Sequence, residues 1–259
     1  MAPIAPAPRP VPQFHLETLR LDNPGSKLFF SHVQPYDILY ESAVRVIEAL
    51  YPITLPGLQL QMPSIRSVRL FLRDMDGVAY TQSSDLDEEH KEIHLSTRYL
   101  QTVFENSERN SGRLTHEIAG VLTHELVHVF QYNGSGSVPG GVIEGIADWV
   151  RNEQALAPPH WREGPGHDAS WDAGYETTGF FLRYLTRKYD PLLVPKLNSM
   201  LQVHDWAGGE HLKGLIRGQK IESVWEEYKQ SLVSSADSDA TAAPPVPTHA
   251  TPGYRPAYR

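Results

Sequence analysis

Residues 112–134, GRLTHEIAGVLTHELVHVFQYNG, decide how the chain is read. Ile118, Leu122, Leu126, Val129 and Phe130 recur at steps of four, four, three and one, the period of one helix face. The pattern predicts a helix over 112–132, with Asn133-Gly134 as its left-handed stop. His124 and His128 stand four apart and so share a face roughly opposite that stripe. Two imidazoles in this relation grip one tetrahedral Zn2+, and Glu125 beside them is near enough to act on water there. The plain alternative is a solvated His pair on an amphipathic helix. Leu126, Val127 and Val129 weigh against it, because apolar residues on several sides predict a helix buried on both faces. A buried His pair needs partners, and a metal supplies them.

The extended form H-E-x-x-H-x-x-G-x-x-H is broken, since Gln131 and Gly134 stand where Gly and His are required. Downstream, VPGGVIEGIADWV opens a second helix, over 142–154, with Glu144 and Asp148 four apart on one face. Glu144 completes a His2Glu set and leaves the fourth position to water. Asp148 is placed to accept the free ring N–H of a ligating His, fixing its tautomer. An exposed acidic pair on an amphipathic helix is the alternative. The preceding glycines permit the tight return of the second helix onto the first.

Outward from these motifs, the period switches from two to 3.6. Residues 64–72 alternate through Ile65, Val68, Leu70 and Leu72 as a strand, and 78–81 and 92–95 read as two more, separated by the acidic turn DLDEEHKE. Helices are expected over 36–51, where Pro52 stops the run, and over 175–188 and 221–232. A small N-terminal mixed sheet followed by helices is an α+β order. Residues 1–13 and 234–259, rich in Pro, Ala, Ser and Thr, are expected as disordered tails around a single domain at 14–233.

Composition narrows the function. With 259 residues, 40% of them hydrophobic, the chain can bury a core. Its net charge of -8 disfavours a nucleic-acid partner. There is no cysteine, so any metal must be held by His and carboxylates. The start MAPIAPAPRPVPQF has no charged-then-apolar leader pattern and no stretch is apolar enough to span a membrane, which predicts a soluble, cytoplasmic protein.

GVLTHELVHVFQYNG, PGGVIEGIADWVR, SWDAGYETTGFFLRYL and RDMDGVAYTQSSDLDEEHKEIHLS together resemble the basic secretory protein family of plants, fungi and bacteria. The resemblance runs over about 63–232, and the pairing of the two helix motifs is similar to the thermolysin-like gluzincins. It implies a zincin-like fold and a Zn2+-dependent peptidase acting on peptides or proteins. It assigns His124, His128 and Glu144 as ligands, Glu125 as general base and Asp148 as the partner that orients a ligand. Tyr175, which begins the helix after WDAG, is the first candidate to stabilise the oxyanion, and His167 the second. Their plain readings are a half-buried core aromatic and a loop histidine. Trp149 and Trp171 read as packing residues, and GVAYT as an edge strand able to pair with an extended peptide. The chain departs from the family in being acidic and in lacking a leader pattern, and its gap from His128 to Glu144 is shorter than in thermolysin. Two other readings remain open: a zinc hydrolase of a non-peptide substrate, and a non-catalytic defence or binding protein with structural zinc.

Overall fold

Phe14 and Leu16 alternate with polar residues in QFHLET, and this segment forms the first strand of the computed structural model, which describes residues 10–52, 60–164 and 169–240. The chain runs β1 (Gln13–Thr18), α1 (Pro24–His32), α2 (Pro35–Leu50), β2 (Ser67–Arg73), β3 (Ala79–Ser83), β4 (His90–Ser96), α3 (Thr97–Asn106), α4 (Ser111–Phe130), α5 (Gly140–Glu153), α6 (Tyr175–Lys188), α7 (Leu193–Met200), α8 (Glu210–Lys213) and α9 (Ile221–Ala240). One mixed sheet has the order β1-β2-β4-β3. The first three of these are parallel, and β3 runs antiparallel along the outer side of β4. This is an α+β fold.

The expected order of strands first and helices second needs correction. A parallel pair cannot be joined by a tight turn, so the chain between β1 and β2 crosses over, and α1 and α2 lie within that crossover. The boundaries of the expected tails also move. Gln13 is already in the sheet, and α9 carries on past 233 to Ala240. No helix among the described residues is long and apolar enough to cross a membrane.

The core lies around α4. Val68, Leu70, Ile93 and Leu95 from the sheet are fully buried, as are Leu114, Ile118, Leu122, Leu126 and Phe130 of α4. Neighbours β3, α2, α3 and α5 all pack against α4, which explains why its sequence is apolar on several sides. The helix ends earlier than predicted. Gln131 leaves it in an extended conformation, and Gly134 takes its left-handed φ of 57° in the following turn instead of capping it. Two buried side chains, those of Tyr51 and Asn198, terminate the helix. Tyr51 Oη donates to the Phe130 carbonyl at 2.5 Å, Asn198 Nδ2 donates to Tyr51 Oη at 3.0 Å, and Tyr132 N donates to Asn198 Oδ1 at 2.9 Å. Backbone groups that the helix leaves unpaired are thus satisfied from α2 and α7.

Two further contacts fix α5. Arg151 Nη2 donates to Glu117 Oε1 of α4 at 2.9 Å, and Tyr99 Oη donates to the same oxygen at 2.7 Å. Both partners of this ion pair are almost wholly inaccessible. On the other side, α5 and α6 touch at Gly145, where a Cβ would stand 2.2 Å from Thr178 Cγ2.

Arg151→Ala is expected to destabilise the fold by about 3–5 kcal/mol in urea titrations, because it strands a buried carboxylate. Burial works to raise the Glu117 pKa, but Arg151 and the Tyr99 hydroxyl outweigh it and hold the carboxyl below its ordinary value. The pair's contribution is therefore complete above the ordinary carboxylate pKa and disappears as pH falls through the lower folded value. Gly145→Ala is expected to cost about 1–3 kcal/mol by forcing α5 and α6 apart, read as a lower urea midpoint at unchanged slope.

Candidate metal centre

His124 and His128 face α5 across the interior, and α5 answers with Glu144 and Asp148. Asp148 Oδ1 lies 2.7 Å from His124 Nδ1, and Gln131 Oε1 lies 2.6 Å from His128 Nδ1. Both oxygens only accept, so both imidazoles carry their proton on Nδ1. The Gln131 amide is oriented independently, because its Nε2 donates to the Ile143 carbonyl at 3.2 Å. Both Nε2 atoms therefore turn inward, toward each other and toward Glu144.

The separations are 3.1 Å from His124 Nε2 to His128 Nε2, 3.0 Å from His124 Nε2 to Glu144 Oε2, and 3.6 Å from His128 Nε2 to Glu144 Oε2. Three donors about 2.0–2.1 Å from one tetrahedral Zn2+ stand roughly 3.3 Å apart. The three side chains can thus hold a metal ion together, which is what their spacing in the sequence predicted. Three converging acceptors repel one another unless a cation or a proton sits among them. Burial alone would lower the His124 pKa, but Asp148 and then Glu144 push it up to about 10, so without a cation a proton takes the place among the three atoms. Burial likewise works to raise Glu144, yet hydrogen bonds to His124 and His128 hold it well below the carboxylate range.

These groups line an open cleft of about 320 Å³, together with Ala79, Tyr80 and Thr81 of β3, Glu125, and Tyr175. Glu125 is 1% exposed, and the Thr81 hydroxyl lies 2.7 Å from its Oε2 and 3.0 Å from its main-chain oxygen. Tyr175 enters the cleft from the first position of α6, with a left-handed φ of 48° that costs a non-glycine residue roughly 1 kcal/mol. The preceding turn passes very close to the start of α5: a Cβ on Gly141 would meet the Asp172 carbonyl oxygen at 1.9 Å. Burial first, then the charges of Glu144, Asp148 and Glu125, push the Tyr175 pKa up to about 12, so it keeps its proton.

His124, Glu125, His128, Glu144, Asp148 and Tyr175 are thus brought to one place. His167 lies outside the described residues. Trp149 and Trp171 are core residues. Sequence reasoning missed Gln131, read there only as a break in a longer motif, and Thr81, read only as part of a strand. Gln131 carries a faint signal, three residues after a candidate ligand at a helix end. Thr81 carries none, because its partner is distant in the chain.

No curated protein and no solved structure matches the chain. A family model described as a peptidase of plants and bacteria matches residues 11–228, which reaches further toward the N-terminus than the motifs alone did. The chain therefore belongs to that peptidase family, the basic secretory protein family that its motifs resemble.

Proposed function

We propose that this peptidase is a zinc-dependent metallopeptidase of the gluzincin kind with a zincin-like fold. The convergence of two inward-facing Nε2 atoms and a carboxylate oxygen carries the reading. In it, His124, His128 and Glu144 hold the ion. A bound Zn2+ supplies Lewis-acid chemistry, acidifying water toward neutrality and polarising a carbonyl oxygen.

The remaining steps belong to the protein. Glu125 takes a proton from the attacking water on its carboxylate and returns it to the leaving amine nitrogen, so the peptide bond breaks with no net gain of protons by the enzyme. Tyr175, which stays protonated, donates its hydroxyl to the developing oxyanion. Asp148 and Gln131 hold the two imidazoles by their Nδ1–H groups and so keep both Nε2 lone pairs available. Strand β3 lies at the edge of the sheet and borders the cleft, which suits a substrate bound as one more strand.

The test uses denatured casein and a quenched-peptide library, with bound metal measured in parallel. The parent protein is expected to hold one zinc, to lose turnover on chelation and to regain it when zinc is restored. Glu125→Gln is expected to keep the zinc while losing on the order of 100- to 10,000-fold in turnover. Undiminished turnover by that variant would sink the mechanism. Unfolding on chelation, with no substrate ever cleaved, would identify a structural ion instead. Asp148→Asn is expected to stay folded and to weaken zinc binding about 10- to 100-fold, measured by competition with a chromogenic chelator.

A further inference from the structure

We infer that Thr81 positions the Glu125 carboxylate, clamping one of its oxygens so that the other is presented to the reacting water. The inference rests on the role proposed for Glu125 and adds a residue from a different element to it. Thr81 and Glu125 come from β3 and α4, yet the Thr81 hydroxyl lies 2.7 Å from Glu125 Oε2.

The donor is rigid. Threonine is stiff about χ1, and Thr81 sits in a strand at a fixed register, opposite Ile93 of β4. Glutamate, by contrast, turns about three side-chain bonds. A base that must find its rotamer during reaction loses the advantage of having been placed beforehand. The same hydroxyl also lies 3.0 Å from the Glu125 main-chain oxygen. It has one proton to share between the two acceptors, and the closer, charged carboxylate takes the larger part. The main-chain contact holds Thr81 over this residue of α4, so strand, helix backbone and carboxylate are set against one another at a single point. The gain lies in orientation.

A simple clip between strand and helix predicts something different from a positioning role, and substitution separates the two. Thr81→Val keeps the volume and removes the hydroxyl, whereas Thr81→Ser keeps the hydroxyl. Turnover of a quenched peptide is measured at saturating zinc, alongside zinc affinity and melting temperature. Thr81→Val is expected to lose on the order of 10- to 100-fold in kcat, with KM and zinc affinity within about twofold of the parent. Thr81→Ser is expected to recover most of that loss. Should Thr81→Val fold poorly, Thr81→Ala gives the same comparison against Thr81→Ser.

If the hydroxyl-free variants keep the parental kcat while Glu125→Gln is inactive, the Thr81 inference is wrong and the proposed mechanism stands. A loss of melting temperature and zinc affinity together in the hydroxyl-free variants, whether or not Thr81→Ser repairs it, would also overturn it in favour of a clip. If Glu125→Gln itself turns over normally, the underlying reading fails instead.

Discussion

The structure depends on a polar seam buried between α4 and α5. Because α4 is enclosed by the sheet, α2, α3 and α5, the charged groups on its buried faces meet their partners inside the protein. Glu117 meets Arg151, His124 meets Asp148 and Glu144, and His128 meets Glu144. As residue numbers rise along α4 they fall along α5, so the two helices run antiparallel and their charges meet in rungs. Slipping one helix along the other by a turn would break every rung at once. The seam therefore sets the register of the two helices.

The rungs are not equivalent. At one end, a carboxylate meets a guanidinium and the charges cancel. At the other, two imidazoles turn their Nε2 atoms on a carboxylate, with a second carboxylate behind one of them. Among the described residues lining that end of the seam as it opens into the cleft, none is Lys or Arg. An interior selected for stability alone would be better filled by well-packed apolar side chains. Keeping an electron-rich cluster there instead suits a group of side chains that could hold a cation. The complete rung below supplies the rigidity on which the incomplete ones rely.

Spacing made this much of the molecule legible. An i, i+4 relation fixes a shared helix face whatever the surroundings, so His124 with His128, and Glu144 with Asp148, could be placed before any fold was known. Five helices (α2, α4, α5, α6 and α9) and three of the strands were legible because their apolar periods are long or flanked by clear breakers. Shorter elements were not. The strand at Gln13–Thr18 emerges from a proline-rich stretch whose composition masks a brief alternation, although the Asn23 cap and Pro24 that open α1 are a readable start signal. The end of α4 was misplaced because Tyr51 and Asn198, distant in the chain, override the local Asn-Gly signal.

What spacing along one helix does not encode is how elements converge on the cleft. Tyr175 reaches it through a left-handed backbone turn that exists because Gly141 lets two chain segments nearly touch. Gln131 reaches His128 only because the helix stops at Phe130, and that stop is imposed from α2 and α7. The seam alone would be a place to bind a cation. In the proposed function it borders a place to bind a peptide, because an edge strand forms the cleft's other wall, with Thr81 joining that strand to Glu125. The helices and the sheet thus contribute separable parts, donors from one and the proposed docking edge from the other. Glu125 is the residue they share, so the precision of the site depends on how firmly sheet and helix are tied there.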